Sequence, residues 1–287
     1  MARVLVTGGG GSFGVACSRQ LVDLGWDVIA VDRRRAEVPG VRFVEADLTD
    51  LGQVVEVMRY IDWQYSGGVD AVVHLGAIPA PGVTTGSATF DNNIRATHNV
   101  FLAAKLTGVK RVVWASSETV LGIPFDVPPS QVPVDETTTE PQSSYALVKT
   151  LEEQMAVYFC RWDPELTMIG LRLSNIVHEA DYAEFSSFQQ DPAQRRWNLW
   201  GYIDSRDAAQ AVHLALTVDR TGTDVYIIAA ADTVMPQTSS ELLATEFPGV
   251  EVHGAVGDHT TLLSIDKARR ELGYEPRHSW RDHITEA

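Results

Sequence analysis

The sequence predicts an α/β protein built on a Rossmann-type doubly wound parallel sheet, with a small C-terminal lobe. Two observations lead to this fold class. Short apolar runs alternate with amphipathic stretches over the first 120 residues, and a glycine-rich loop directly follows the first apolar run. Strands of a parallel sheet are buried on both faces and are therefore almost continuously apolar, with helices as their connections. The alternation thus favours a parallel sheet covered by helices on both faces.

The individual elements follow from apolar runs and from helical periodicity. The predicted strands are residues 3–7, 27–31, 41–45, 71–75, 111–116, 167–172 and 225–229, and the predicted helices are residues 13–24, 50–61, 90–107, 144–161 and 204–217. Residues 123–142 are rich in proline, threonine and acidic side chains, which predicts a surface loop. Residues 177–201 are polar, aromatic and irregular. The remainder predicts a short helix, a short strand and a tail.

Composition excludes several classes of protein. The formal net charge of the 287 residues is −15, and such a surface repels nucleic acids. Cys17 and Cys160 lie in predicted helices without a nearby partner cysteine, so we expect buried thiols, no disulfide framework and no metal site. The N-terminal apolar run is a strand rather than a signal peptide, and no apolar run approaches 18 residues. We therefore expect a cytoplasmic protein that does not associate with membranes.

The glycine-rich loop carries the most specific signal. Gly8, Gly11 and Gly14 follow the first strand and open the first helix, the context in which such a pattern indicates dinucleotide binding. Gly8 allows the tight turn, Gly11 allows a pyrophosphate to approach the backbone, and Gly14 allows close helix packing. Ser12 and Phe13 complete the loop at the helix N-terminus, where free N–H groups attract phosphate. A P-loop is excluded because no Gly-Lys-Ser/Thr follows.

The end of the second strand indicates which dinucleotide binds. Asp32 can accept hydrogen bonds from both hydroxyls of an adenosine ribose and would repel a 2′-phosphate, which favours NAD over NADP. Arg33, Arg34 and Arg35 follow at once and could instead hold that phosphate, or form a solvated turn. We expect residues 1–172, with 203–229 returning to them, to form the dinucleotide-binding domain. Residues 173–202 and 230–287 should form a small substrate-binding lobe.

Further motifs occur in a recognisable order. They are Asp47-Leu48, His74-Leu75-Gly76-Ala77, Asn92-Asn93, Ser116-Ser117, Tyr145-x-x-x-Lys149, Leu171-Arg172-Leu173-Ser174-Asn175, Tyr202-Ile203-Asp204-Ser205-Arg206-Asp207 and Asp266-Lys267-Ala268 with Leu272-Gly273-Tyr274-x-Pro276. Together with the glycine loop, this order resembles the extended short-chain dehydrogenases/reductases, most nearly the NAD-dependent epimerase/dehydratase group. The resemblance covers nearly the whole chain.

The resemblance implies roles for single residues. Asp47 and Leu48 would bracket the adenine, while Leu75, Gly76, Ala77 and Asn92 would line the cofactor. Ser117, Tyr145 and Lys149 match the catalytic positions, and Thr119 and Asn175 match positions that contact substrate. The long helices 90–107 and 144–161 would pair across a two-fold axis to give a homodimer.

The catalytic positions also make chemical sense by themselves. Tyr145 and Lys149 are four residues apart and share one face of a helix. The lysine charge should lower the pKa of the phenol, so that Tyr145 can exchange a proton with a substrate oxygen held by Ser117 while NAD carries the hydride. Ser116 is either part of this site or a strand-end turn. His74 should be a buried packing residue.

The substrate is left open by the sequence. Val120-Leu121-Gly122 and Asn175-Ile176-Val177 lack the tyrosines usual in the family, and only 27 residues separate Asn175 from Ile203. This short segment favours a small substrate such as a free sugar or a sugar acid, as in the uronate dehydrogenase-like branch. A uronate needs a cation; Arg195 or Arg196 could supply it, although we expect both in solvent.

Three functions therefore remain: a dehydrogenase or reductase with net turnover of NAD(P), a sugar-nucleotide epimerase or dehydratase that retains its NAD, and a non-catalytic dinucleotide sensor.

Trp197, Trp200 and Tyr202 either line a pocket or pack a small lobe.

Overall fold

The protein is described by a computed structural model that covers residues 2–59, 68–254 and 256–283. Its strands are β1 Arg3–Thr7, β2 Asp27–Asp32, β3 Arg42–Glu45, β4 Ala71–His74, β5 Arg111–Ser117, β6 Gln131–Val132, β7 Thr167–Leu173, β8 Ile176–Val177, β9 Ile203–Asp204, β10 Gly222–Ile228 and β11 Glu251–Val252. Its α-helices are α1 Ser12–Asp23, α2 Leu51–Arg59, α3 Gly86–Thr107, α4 Ser144–Trp162, α5 Ser205–Thr217, α6 Ser239–Glu246 and α7 Asp266–Leu272.

Seven strands form one parallel sheet in the order β10-β7-β5-β4-β1-β2-β3. The predicted doubly wound α/β fold is therefore confirmed. The sequence order reverses between β1 and β4, so the loops after these strands diverge at the carboxyl edge of the sheet. That reversal opens the crevice in which the glycine loop lies.

The central strands are apolar because both of their faces are covered. One group of buried side chains, on one side of the sheet, includes Leu5, Val72, Trp114 and Met168, and packs against helices α2, α3 and α4. The other cluster contains residues of β1 and β7 together with Tyr274 and Trp280 near the C-terminus. The late segments thus share a core with the sheet rather than forming a core of their own.

The predicted elements agree with the structure apart from their boundaries and a few segments. The predicted helix 50–61 is observed as Leu51–Arg59, and residues 60 and 61 lie outside the described part of the chain. The C-terminal part contains two helices, α6 and α7, where one was predicted. Residues 177–201 contain three short 3₁₀ helices, at Glu179–Ser187, Pro192–Gln194 and Arg196–Asn198.

The prediction of a surface loop over residues 123–142 was wrong in part. Ile123, Phe125, Val132 and Val134 are buried in the core, and β6 within this segment pairs with β11. The proline and acidic residues that suggested exposure alternate with these apolar anchors. The segment is a packed connection between the sheet and the late part of the chain.

Other predictions concern single residues. Cys17 and Cys160 are buried free thiols, as expected. Trp200 and Tyr202 are fully buried. Of the two alternatives for these residues, the structure therefore favours packing of the lobe over lining of a pocket. Within residues 2–59, 68–254 and 256–283, no helix is long and apolar enough to cross a membrane.

Candidate active site

The glycine loop connects β1 to α1 at the carboxyl edge of the sheet. Gly8 has a φ of +72°, a left-handed conformation, and a Cβ there would lie 2.7 Å from the backbone nitrogen of Gly76. A Cβ on Gly14 would collide with the carbonyl oxygen of Gly8. At Gly11, by contrast, the nearest atom is 3.2 Å away, and the residue faces the open cleft. This arrangement fits a diphosphate that approaches the backbone at the start of α1.

Asp32 ends β2 beside this loop. Its carboxylate accepts hydrogen bonds from the backbone N–H groups of Gly10 and Arg34, each at 3.1 Å. The carboxylate is therefore fixed by the turn that follows β2 and stays at the edge of the cleft. Arg33 and Arg34 directly follow Asp32 and line the same cavity, so the carboxylate expected to favour NAD and the guanidinium groups expected to favour NADP are neighbours there.

Ser117, Tyr145 and Lys149 come together from two neighbouring elements. Ser117 is the last residue of β5, and Tyr145 and Lys149 lie in the first two turns of α4. The hydroxyl of Ser117 accepts hydrogen bonds from the backbone N–H and the side chain of Thr119, at 3.2 and 3.0 Å. Ser117 is also near enough to the phenol to act to lower the pKa of Tyr145. Ser117 therefore serves both as the cap of a 3₁₀ turn, Glu118–Leu121, and as a neighbour of the phenol.

Ser116 has a structural role. Its hydroxyl donates to a carboxylate oxygen of Glu153 at 2.6 Å, and Glu153 is bound in turn by the buried guanidinium of Arg172. Ser116 borders the cavity, but it lies within β5 and its hydroxyl is engaged by Glu153, so neither predicted alternative, a site residue or a strand-end turn, describes its hydrogen bond.

Lys149 is anchored by two acceptors. Its ammonium donates to the carbonyl oxygen of Ala115 at 2.7 Å and to the carboxylate of Glu152 at 2.9 Å. Glu152 also accepts a hydrogen bond from Thr97, which contacts His74 at 3.0 Å. His74 is buried as predicted, and its second ring nitrogen lies 2.7 Å from the hydroxyl of Thr7, below the glycine loop. A continuous polar chain thus joins the lysine to β1.

The electrostatics differ from the expectation in one respect. Burial raises the pKa of Tyr145, and the charge of Lys149 opposes this without overcoming it. Burial also disfavours the charge on Lys149, but Glu152 and Tyr145 outweigh it and raise the lysine pKa. The sequence analysis considered the lysine alone and omitted Glu152. Because this carboxylate neutralises the ammonium, Lys149 lowers the phenol pKa less than predicted.

A second buried carboxylate lies at the other side of Ser117. Glu118 accepts hydrogen bonds from the hydroxyl of Ser174 at 2.5 Å and from the amide of Asn198 at 3.2 Å. Burial raises its pKa to about 7, although Ser174, Asn198 and Arg195 act in the opposite direction. The sequence analysis did not identify Glu118, although it lines the cavity next to the predicted serine.

The prediction that Arg195 lies in solvent was wrong. Its guanidinium donates to the side-chain oxygen of Asn175 at 3.1 Å and to the carbonyl of Gly201 at 3.0 Å, and it lies over the rings of Phe188 and Trp197. Its hydrogen bond therefore fixes the position of the Asn175 side chain. Arg196, which has a half-exposed side chain, pairs instead with Glu246 at 3.5 Å.

The glycine loop, Asp32, Ser117, Glu118, Tyr145 and Lys149 border one cavity of about 900 Å³. It contains every residue that the sequence analysis assigned to cofactor, substrate or catalysis: Gly8, Gly11, Ser12, Phe13, Gly14, Asp32, Arg33, Asp47, Leu48, Leu75, Gly76, Ala77, Asn92, Ser117, Thr119, Tyr145, Lys149 and Asn175. It also contains residues that were missed, among them Glu118, Ser174, His178 and Asp181. Glu118, Ser174 and His178 have side-chain partners distant in sequence, so no local pattern marks them. Asp181 has a local partner, because its carboxylate accepts a hydrogen bond from the backbone N–H of His178 three residues earlier.

Comparison with known proteins places this geometry in a family. Residues 4–229 match the model of the NAD dependent epimerase/dehydratase family. The chain belongs to this family. It is an NAD-dependent enzyme family, so the predicted resemblance, the predicted enzymatic character and the preference for NAD are confirmed at this level.

Individual members of the epimerase/dehydratase family resemble the chain over most of its length. UDP-glucose 4-epimerase 2 of Oryza sativa subsp. japonica is 29% identical over 293 residues, which cover 92% of this chain and 68% of that protein. A crystal structure of UDP-glucose 4-epimerase from Bifidobacterium longum, in complex with NAD+ and UDP, has a TM-score of 0.71 at 22% identity and covers 98% and 95% of the two chains. A mutated uronate dehydrogenase has a TM-score of 0.68, also at 22% identity, with 99% and 85% covered. The two structures show the shared fold.

Proposed function

We propose that the chain is an NAD-dependent oxidoreductase that acts on a carbon bearing oxygen in a small substrate, with Ser117, Tyr145 and Lys149 as its catalytic residues. The observation that carries this proposal is the meeting of these three side chains in the same cavity as the glycine loop and Asp32. The loop would hold the diphosphate, Asp32 the adenosine ribose, and the backbone after β4 the nicotinamide half. When bound, oxidised NAD supplies the hydride acceptor and a positive charge beside the phenol.

The side chains divide the proton chemistry among them. Ser117 would hold the substrate oxygen by a hydrogen bond, and Tyr145 would take the proton from that oxygen as its carbon is oxidised. Lys149 favours the phenolate and can bond the nicotinamide ribose. Glu152 keeps Lys149 protonated and fixes its position, which makes it a positioning residue. In the reverse direction, Tyr145 returns the proton.

The size of the cavity supports a small substrate. A single drug-sized ligand typically occupies about 300–1,000 Å³. Here about 900 Å³ must contain the whole dinucleotide as well as the substrate, and Trp197 and Asn175 bound its far end. We propose that residues 173–202 and 230–283 form the substrate lobe, and that their short course leaves room for a free sugar or a comparable hydroxy compound.

The charges at this end favour a neutral substrate over a sugar acid. Glu118 and Asp181 border the cavity. Arg195 is not among the described residues that line it, and its guanidinium is hydrogen-bonded to Asn175 and Gly201. A substrate carboxylate would lie beside these two carboxyl groups, while the permanent cations that line the cavity in the described residues either follow Asp32 or, for Lys149, pair with Glu152.

The second candidate is a sugar-nucleotide epimerase that keeps its NAD. The curated relatives named UDP-glucose 4-epimerase favour it, and it uses the same three side chains. Incubation with NAD and a panel of aldoses, uronates, alcohols and UDP-sugars separates the two. Net formation of NADH with a small substrate supports our proposal, whereas interconversion of a UDP-sugar without net NADH would replace it.

The catalytic assignment is tested by Tyr145→Phe. General acid–base groups contribute about 10²–10⁴-fold to rate. We expect kcat to fall by that amount while NAD still binds, because the hydroxyl and not the ring is lost. Tyr158→Phe is a matched control on the same helix, since Tyr158 is 52% exposed and should not affect the rate. Unchanged activity in Tyr145→Phe would contradict the assignment.

We also propose a homodimer formed through α3 and α4. Leu147, Tyr158 and Trp162 are apolar, exposed and spaced to share one face of α4, and Leu106 is exposed on α3. Sedimentation should give a dimer, and Trp162→Glu should weaken it. Val83→Glu, at another exposed apolar residue, is the control. A monomeric wild-type protein would refute the proposal.

A further inference from the structure

A side-chain bridge joins the glycine loop to the proposed substrate lobe. The hydroxyl of Ser12, the first residue of α1, is hydrogen-bonded to the Nε2 atom of His178. The two residues are 166 positions apart, and both line the cavity. The bridge therefore spans the mouth of the cleft at the loop that receives the diphosphate.

His178 is held in place by its own lobe. It directly follows β8, which pairs with β9, and its backbone N–H donates to the carboxylate of Asp181 at 2.7 Å. Its imidazole is half-buried. The ring thus reaches Ser12 from a fixed backbone, so it does not depend on a mobile surface side chain.

The charges in the cleft give this ring a particular importance. A dinucleotide diphosphate carries two negative charges. Among cavity-lining residues in the described ranges, the permanent cations are Arg33 and Arg34, beside Asp32, and Lys149, which is neutralised by Glu152. In the described part of the chain, no side chain of these three cations forms a hydrogen bond with the glycine loop. The side chain of His178 does, through Ser12. An imidazole N–H is a good donor to phosphate in either protonation state.

We infer that His178 is a ligand of the dinucleotide diphosphate that is contributed by the substrate lobe. Ser12 orients the ring toward the loop, and once the cofactor is in place Nε2–H donates to a phosphate oxygen instead of bonding the Ser12 hydroxyl. Retention of the cofactor would therefore depend on both sides of the cleft. This inference rests on the proposed function, because it requires NAD to bind at the glycine loop.

The test measures binding rather than turnover. Dissociation constants for NAD, ADP and adenosine are determined by titration calorimetry for the wild type, His178→Ala, His178→Gln and Ser12→Ala. We expect His178→Ala to bind NAD and ADP about tenfold more weakly, the loss of one hydrogen bond to a charged group, with adenosine unchanged. Ser12→Ala should have a smaller effect. His253→Ala is the control, since that histidine is exposed and pairs with Glu251.

The outcomes are distinguishable. NAD affinity within twofold of wild type in both His178 variants would overturn the inference, as would an equal weakening for adenosine, which has no phosphate. His178→Gln covers the case in which the alanine variant does not fold. Failure of the wild-type protein itself to bind NAD would instead overturn the proposed function.

Discussion

Removing one partner of the buried ion pair between Lys149 and Glu152 should strongly destabilise the fold. Both side chains are almost completely buried, at 3% and 0% exposure, and their charged atoms are 2.9 Å apart. At an effective dielectric constant of about 20, the attraction at this distance is about 6 kcal/mol, against which the desolvation of both groups acts. Glu152→Ala leaves the ammonium buried without its carboxylate, and breaking such pairs costs about 3–5 kcal/mol. A domain has only about 5–15 kcal/mol in total.

Urea denaturation followed by tryptophan fluorescence measures this loss. We expect the midpoint of Glu152→Ala to fall by a large fraction of the wild-type value, and that of Glu152→Gln by less, because the amide can still accept from Thr97. The double variant Lys149→Met/Glu152→Ala should be more stable than the two single losses added together, since no charge is then left unpaired. A loss below about 1 kcal/mol in Glu152→Ala would refute the reasoning.

A second ion pair serves as a control that shows whether burial, rather than the distance between the charged atoms, determines the loss of stability. Lys110 and Asp163 are even closer, at 2.5 Å, but Lys110 is 44% exposed. Lys110→Gln should leave the midpoint nearly unchanged, because solvent screens exposed pairs.

The same pair sets an alkaline dependence. The pKa of Lys149 is raised in the folded state, so its stabilising contribution is complete below the unfolded lysine pKa and is lost as the pH rises through the raised folded value. The stability difference between wild type and Glu152→Ala should therefore be constant near neutral pH and shrink in strongly alkaline solution. A difference that shrinks on acidification from pH 8 to 6 would assign the dependence to the carboxyl of Glu152, whose pKa is raised by burial, and not to Lys149.

Three further predictions follow from neighbouring groups. Burial raises the pKa of Glu118 from 4.5 to about 7, so the free energy of unfolding should fall by about 3 kcal/mol as the pH rises through that window. Urea titrations at pH 4.5 and 8 measure this fall, and Glu118→Gln should abolish it. An unchanged dependence of stability on pH in Glu118→Gln would contradict the prediction. Gly14→Ala should weaken NAD binding more than 100-fold in calorimetry, because its Cβ collides with the backbone of Gly8, whereas Gly25→Ala, with open space around it but a positive φ, should lower only stability. Asp32→Ala should weaken NAD and strengthen NADP, since Arg33 and Arg34 remain to accept a 2′-phosphate; an undiminished preference for NAD would show that Asp32 does not read the ribose.

The sheet could be predicted from sequence because its signals are local. Strands such as β1 and β4 are continuous apolar runs, and burial on both faces requires that pattern. Boundaries were less exact where exposure hides the periodicity. Helix α3 begins at Gly86, four residues before the predicted start, because Thr85 caps it by accepting a hydrogen bond from Ala88. Residues 86–88 are exposed and carry no apolar stripe, so the periodicity did not reveal this start.

The glycine loop and the proposed catalytic pair could be identified in the sequence because their spacing is local as well. Glu118, Arg195 and His178 could not, since each acquires its meaning from a partner far away in sequence. Glu118 is a charged residue after a strand, which ordinarily indicates exposure. It is buried because Ser174 and Asn198, 56 and 80 residues later, satisfy its carboxylate.

Under the proposed function, the register of the sheet separates the residues that would select the substrate from those that would carry out the hydride chemistry. Strands β5 and β7 are parallel neighbours in which Ser117 pairs with Leu173, so the residues immediately after them, Glu118 and Ser174, necessarily meet at the carboxyl edge. Their hydrogen bond is the point at which the lobe contacts the serine of the proposed catalytic set. Tyr145 and Lys149 are positioned from the other side, by α4. Substitutions at Asn198 or Arg195 should therefore change KM and the preferred substrate through Glu118 and Asn175, while the affinity for NAD and the polar chain behind Lys149 stay as they are.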